Sequence, residues 1–285
     1  MAEAVTIFEV GPRDGLQNER RPIATADKIR LIDLLSDCGF SKIEVTSFVS
    51  PKAIPQLADA AEVMTGIRRK KGIRYAVLIP NLIGYEAAKA AGADEVAVFA
   101  SASEGFSERN IGCSIEDSMA RFVPVLAAAR TDGRPVRGYV SCVIRCPYDG
   151  PTAPVRVARV AGRLIDMGCY EVSLGDTIGA GAPDTVEALL EAVLAAIPAG
   201  RLAGHFHDTR GRALENIDVC LDHGLRVFDS SVGGLGGCPY APGAPGNVDT
   251  VAVARLLAER GLATGLDIVR LEEAARFARA LRTPA

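Results

Sequence analysis

The chain has 285 residues, about twice the usual domain length but ordinary for an α/β barrel, and 48% of them are hydrophobic, with 29 glycines and no tryptophan. Lys and Arg number 32 against 35 Asp and Glu, so the formal charge of −3 gives no electrostatic ground for a nucleic-acid or membrane partner, and no apolar run reaches the length of a membrane span. The 7 cysteines are scattered, with no C-x-x-C pair, and residues 1–4 lack the basic start and apolar stretch of a leader, so reduced thiols and a cytoplasmic setting are expected rather than a disulfide framework.

Residues 5–10 (VTIFEV) read as a strand that breaks at Gly11-Pro12 into the polar loop RDGLQNE. Thr25 is the expected N-cap of a helix that Gly39 closes, and a strand over 42–45 runs on into Thr46-Ser47. The unit then recurs. A helix over 56–66 leads to a strand over 74–79, and a helix over 82–91 leads to a strand over 95–99. Ser114 caps a helix to about Arg130 ahead of a strand over 136–142, and a helix over 154–167 precedes a strand over 170–174. After a helix over 184–196 come a strand over 201–206, a helix over 212–222 ending at His223-Gly224, and a last strand over 226–229.

Eight short strands alternating with helices predict a closed (β/α)₈ TIM barrel, in one domain, with a C-terminal helical extension over 267–281. An open doubly wound sheet is the alternative, but the first strand is followed by GPRDGLQNE, which lacks the G-x-G-x-x-G fingerprint.

In a barrel the C-terminal strand ends converge on one mouth. The polar residues placed there are Arg13 and Asp14, Glu44 and Ser47, Asn81, Ser101, Cys142, Asp176, His205 and His207. The last strand adds Ser230-Ser231 and a glycine-rich run that holds Cys238 and ends near Asn247. Two of the chain's 3 histidines lie in His205-Phe206-His207, where strand geometry turns both imidazoles to one side. Two imidazoles with the carboxylate of Asp14, and an amide oxygen from Asn247, suit a six-coordinate Mg²⁺ or Mn²⁺ with positions left for substrate oxygens. Against this, Asp14 before Gly15 is also an ordinary turn residue, and Asn247 an ordinary cap for a helix from Val248. Glu44 and Asp176 are equally suited to orienting a histidine or Arg13. Cys238 suggests a mobile lid carrying a thiol. His223 reads as a helix C-terminal residue.

Taken together these segments resemble the 3-hydroxy-3-methylglutaryl-CoA lyases, a metal-dependent TIM-barrel family. The resemblance runs through VGPRDGLQNE (10–19), IEVTSFVSPKAIPQ (43–56), GYVSC (138–142), CPYDG (146–150), MGCYEVSLGDTIG (167–179), HFHDT (205–209) and GLGGCPYAPGAPGN (234–247). It implies metal ligation by Asp14, His205, His207 and Asn247, substrate contact by Arg13, and Cys238 on the active-site loop. The implied reaction is a carbon–carbon lyase step that splits an acyl-CoA thioester into acetyl-CoA and acetoacetate, with Arg13 stabilising the enolate. The resemblance leaves the proton acceptor open among Asp176, Glu44 and a water on the ion, and gives Cys238 either enolate protonation or solvent gating. Oligomeric state stays open, a homodimer included. Arg145 stands where the family more usually has glycine, which opens the alternative of a longer or different 3-hydroxyglutaryl-CoA substrate. A condensing acyltransferase of the same superfamily would need a longer chain, an amidohydrolase-type site would need more histidines than His223 supplies, and a non-catalytic scaffold would leave the convergence of polar residues unexplained.

Overall fold

The structure, a computed structural model, describes residues 3–19, 21–236 and 246–282. Eight parallel strands close into a barrel: β1 (Thr6–Glu9), β2 (Lys42–Ser47), β3 (Arg74–Leu78), β4 (Glu95–Ser101), β5 (Val136–Ser141), β6 (Glu171–Asp176), β7 (Leu202–Phe206) and β8 (Val227–Ser230). The ring runs β1-β8-β7-β6-β5-β4-β3-β2 and back to β1, so the expected TIM barrel is present. Helices α1 (Thr25–Ser36), α2 (Ala60–Gly66), α3 (Leu82–Ala90), α4 (Glu104–Ile111), α5 (Ile115–Thr131), α6 (Pro154–Met167), α7 (Pro183–Leu194), α8 (Ala213–Asp222) and α9 (Thr250–Glu259) lie between or after the strands, and α10 (Ile268–Arg282) forms the C-terminal extension. Among the described residues no helix is long and apolar enough to cross a membrane.

Local differences from the sequence reading have tertiary causes. Thr25 is the first helical residue rather than the cap, because its hydroxyl donates to Asp59 Oδ2 at 2.7 Å. The helix expected over 56–66 is split into a 3₁₀ turn (Pro55–Leu57) and α2, since the Gln56 amide is held by Glu19 O, Arg21 O and Ile23 N. Helix α4 has no counterpart in the sequence reading: Ser103 caps it by accepting from Phe106 N, and Gly112 ends it in the left-handed conformation (φ 67°).

The apolar core lies between strands and helices, while the barrel interior is charged. Arg137, fully buried on β5, donates from Nη1 and Nη2 to the two Asp229 oxygens (3.1 and 2.8 Å) and from Nε to Glu171 (2.7 Å). Its guanidinium also stacks over Phe8 and Tyr139. A second interior set links Lys42, the Tyr170 hydroxyl and Glu95. In both sets the buried charges are met by opposite ones, the condition under which burial is tolerated.

Buried Glu9 anchors the first loop. Its Oε1 accepts from Gly11 N (2.8 Å) and Val232 N (2.9 Å), and Oε2 accepts from the Thr250 hydroxyl (2.7 Å). Burial pushes its pKa up to about 7.

Two outcomes follow from these buried charges. Arg137→Met should cost about 3–5 kcal/mol in denaturant unfolding, because Asp229 and Glu171 would stay buried without their guanidinium. For Glu9 the folded-state pKa lies above the unfolded one, so the folded chain holds the extra proton. Stability should then fall by up to about 3 kcal/mol as pH rises from about 4.5 to 7, and level off above that. Glu9→Gln keeps the acceptor and loses the titration. Its stability curve over the same range should be flatter than that of the parent chain.

Candidate metal centre

The site begins where β1 ends. Residues Gly11–Gly15 form a wide turn in which the amides of Arg13, Asp14 and Gly15 all converge on Val10 O. The turn fits because two positions lack a side chain: a Cβ on Gly11 would stand 2.5 Å from Glu9 Oε1, and one on Gly15 2.7 Å from Leu235 Cβ and Ser231 Oγ. The tight seat directs Arg13 and Asp14 into the barrel mouth.

Asp14 meets the two histidines there. Asp14, His205 and His207 offer ligand atoms within 4.8 Å of one another, a cluster able to hold a metal ion. His205 Nε2 lies 3.9 Å and His207 Nε2 4.0 Å from Asp14 Oδ2. These gaps are too long for hydrogen bonds and short enough for one ion to touch all three. The strand reading of the His-x-His pair holds: the two rings are 5.5 Å apart, with Phe206 buried between them in sequence.

The charge states of Asp14 and His207 suit an ion. Burial works to raise Asp14, but Arg13 and the two imidazoles outweigh it and bring its carboxyl down to about 2. Burial, and then the neighbouring His205, bring His207 down to about 4, so its ring is neutral near pH 7 and offers a lone pair. His205 moves the other way: burial lowers it, yet its bond to Asp229 and the charges of Asp229 and Asp14 raise it on balance. Its Nδ1 sits 3.1 Å from Asp229 Oδ2, which leaves Nε2 for Asp14 and the ion. Asp229 is in turn gripped by Arg137 and by the Ser173 hydroxyl (2.7 Å). Such a carboxylate behind a ligand histidine selects its tautomer and fixes its ring.

Asn247 reaches the same place from the far end of the chain. Its Nδ2 donates to Asp14 Oδ2 at 2.7 Å, and its backbone bridges to His207. It does not cap the following helix; Asp249 does, accepting from Val251 N at 2.8 Å. Arg13 donates from Nε to Glu44 Oε2 (2.6 Å) and from Nη1 to Asp14 Oδ1 (2.5 Å), with the Tyr139 ring 5.6 Å from its guanidinium carbon. Glu44 also accepts from the Tyr139 hydroxyl at 3.2 Å.

The remaining expected residues fall into other places. Burial raises the Asp176 pKa despite backbone bonds from Gly181 N (2.7 Å) and Ala180 N (3.0 Å), and those bonds tie its carboxylate to the loop after β6. Neither Asp176 nor Glu44 belongs to the wall of the mouth cavity. Asn81 lines the cavity, as expected, and also caps α3 by accepting from Gly84 N, while Ser101 accepts from Ser103 N. Cys142 is buried, and burial pushes its thiol well up. His223 is the residue after α8, as expected. Arg145 is exposed, in the short hairpin that pairs Arg145–Cys146 with Gly150–Pro151, away from the cavity wall. Cys238 and its neighbours from 237 to 245 lie outside the described residues.

The sequence reading missed Asp229, Arg137 and Tyr139. A signal for them existed: an arginine inside the strand VRGYVS needs an interior carboxylate, and Asp229 stands at the end of the last strand, where barrels place functional groups.

The cavity above these residues has a volume of about 700 Å³. It is floored by Arg13, Asp14, His205 and His207 and walled on one side by Leu78, Phe99, Tyr139 and Phe122. It is large enough for a substrate with a polar head and an apolar arm.

Comparison with known proteins places the chain in context. The family model described as HMGL-like matches residues 4–278. An HMG-CoA lyase from Brucella melitensis, known from its crystal structure, is 65% identical, with a TM-score of 0.98 and 99% of each chain covered. A Pseudomonas aeruginosa protein described as 3-hydroxy-3-isohexenylglutaryl-CoA/hydroxy-methylglutaryl-CoA lyase is 59% identical over 274 residues, 96% of this chain and 91% of that one. An Acinetobacter baumannii HMG-CoA lyase solved in complex with coenzyme A and 3-methylmalate is 39% identical, with a TM-score of 0.93 over 98% of this chain and 91% of that one.

The Asp229 contact generates a direct test of the centre. Asp229→Ala should weaken Mn²⁺ binding about 10–100-fold in isothermal titration calorimetry, with His205 and His207 both still present.

Proposed function

The chain belongs to the HMGL-like family, and from that membership we propose that it cleaves 3-hydroxy-3-methylglutaryl-CoA to acetyl-CoA and acetoacetate. The observation that carries this reading is the set of Arg13, Asp14, His205 and His207 gathered on the floor of a cavity of about 700 Å³.

Asp14, His205 and His207 would hold a divalent cation, with Asn247 as a further ligand through its amide oxygen. Nitrogen and oxygen donors without a thiolate suit Mg²⁺ or Mn²⁺. When bound, the ion supplies Lewis acidity toward the substrate's hydroxyl and carboxylate oxygens. The protein's own residues do the rest. Asp229 keeps His205 in the tautomer that presents Nε2, and Arg137 keeps Asp229 charged.

In the reaction the C3 hydroxyl loses its proton, the C2–C3 bond breaks, and C3 becomes the ketone of acetoacetate. The electron pair passes to the thioester as an enolate, which takes a proton at C2 to give acetyl-CoA. Arg13 faces the place where that enolate charge grows. Its Nε and Nη1 are engaged by Glu44 and Asp14, so the guanidinium is fixed before the substrate arrives. We assign Glu44 to positioning Arg13, and Asp176 to shaping the loop after β6. Cys238 retains the enolate-protonating or solvent-gating role implied by its motif. A cavity of about 700 Å³ suits the acyl portion of an acyl-CoA partner, and the six described cysteines, all free, fit a cytoplasmic setting.

Acetoacetate release from 3-hydroxy-3-methylglutaryl-CoA, followed with Mg²⁺ or Mn²⁺ and again after chelation, tests the whole reading. Activity should vanish with chelator and return with either ion. Arg13→Ala should lower kcat roughly 10²–10³-fold or more while the cation still binds with near-parent affinity. Near-normal turnover in that variant would remove Arg13 from the enolate role.

A further inference from the structure

Two of the four residues assigned to the cation lie on loops rather than on strands. Asp14 is in the turn after β1, and Asn247 closes the segment between β8 and α9. Residues 232–236 bring the two together. A Cβ on Gly236 would stand 3.1 Å from Asn247 Nδ2, 3.2 Å from Gly15 Cα and 3.4 Å from Asp14 O, so this glycine packs directly on both ligand loops. Leu235, fully buried, lies against Gly15. The segment has little stiffness of its own. Gly233, Gly234 and Gly236 all take positive φ (67°, 63° and 95°), and glycine restricts the backbone less than any other residue.

The C-terminal extension supplies the restraint. Helix α10 lies close along the segment: a Cβ on Gly233 would stand 3.0 Å from Ala275 O, 3.2 Å from Arg279 Cγ and 3.3 Å from Ala278 Cβ. Arg282, at the end of the helix, donates from Nη1 to Gly234 O at 3.0 Å. Its Nε lies 3.2 Å from Glu19 Oε1, and Glu19 belongs to the loop that leaves β1. One guanidinium thus joins the loop of Asp14 to the segment that packs on Asp14. One turn earlier on the same helix face, Arg279 Nη1 lies 3.8 Å from Asp249 Oδ2, two residues past Asn247.

We propose that Arg282 is a positioning residue for the metal centre: it holds the segment after β8 against the loop after β1 and so fixes the spacing of Asp14 and Asn247. The inference rests on the centre proposed above, and Arg282 itself touches neither ion nor substrate. With its side chain 36% exposed, its ion pair with Glu19 adds little to the stability of the whole fold. Its effect is local. Released from the guanidinium, three glycines in four positions regain backbone freedom, and a ligand displaced by about 1 Å is enough to cost a large part of the rate.

The test measures Mn²⁺ affinity by isothermal titration calorimetry, then kcat and KM for 3-hydroxy-3-methylglutaryl-CoA at saturating Mn²⁺, in the full chain and three variants. Arg282→Ala should bind Mn²⁺ at least about threefold more weakly and lose about tenfold in kcat, with KM within about twofold of the parent and a thermal midpoint within about 2 °C of it. Arg282→Lys keeps a donor within reach of Gly234 O and should recover most of both losses. Arg255→Ala breaks a comparable exposed pair between α9 and α10, Arg255–Glu272 at 2.6 Å, away from the segment, and should leave affinity and kcat unchanged. Parent-like affinity and kcat in Arg282→Ala would overturn this inference and leave the metal centre standing. Equal losses in Arg255→Ala would also overturn it, since docking of the helix rather than the Arg282 contacts would then be responsible. Absence of Mn²⁺ binding in the parent chain would overturn both the centre and the inference.

Discussion

A buried arginine on β5 makes the polar half of this barrel possible. Asp229 lies in the interior, where a lone carboxylate would take up a proton, and burial alone would drive it that way. Two guanidinium bonds from Arg137, together with His205, reverse the balance and hold Asp229 well below the usual carboxylate range. The charge so maintained orients His205, and His205 faces Asp14. A chain of contacts thus runs from the middle of the barrel to its mouth, each link setting the protonation state of the next. Burying this much charge contributes little net stability. What it supplies is a histidine with one ring orientation and one free nitrogen.

The second requirement is backbone geometry at the end of β1. Glu9 points out of the barrel and bonds Gly11, Val232 and Thr250, so it ties the first loop to the segments that follow the last strand. Gly11 and Gly15 let the turn sit against Ser231 and Leu235. Asn247 closes the arrangement by reaching Asp14 from the same side. Residues more than two hundred positions apart therefore meet because parallel closure makes the first and last strands neighbours. The polar functions collect at this seam and the apolar wall at the strands opposite, a division that follows from ring order.

The candidate ligands were legible because their pattern is local. A His-x-His at the end of an apolar run declares a shared face, and Arg13-Asp14 directly follows a strand. Glu44 was recognisable as a residue that orients a histidine or Arg13, but not which: Arg13 is 31 positions away, and only the closed ring brings the two within 2.6 Å. Asp176 illustrates the opposite case. It ends a strand as the pattern requires, yet its carboxylate turns to two amides of its own loop and does not join the cavity wall. Arg145 stood out only as a departure from a family glycine; the hairpin carries it to the surface, off the cavity wall.

By itself the sequence determined the alternation of strand and helix, the closed barrel that eight such units imply, and the three donor residues whose identity and strand-end position limit their chemistry. Those are properties of short segments, set by side-chain period, turn residues and donor type. Tertiary structure alone decided which carboxylates line the cavity and which lie behind its wall, where Arg137 finds its counter-charges, and that the mouth is polar on one side and apolar on the other. The physical reason is that burial and pairing depend on distances across the barrel, and those distances exist only once the ring has closed.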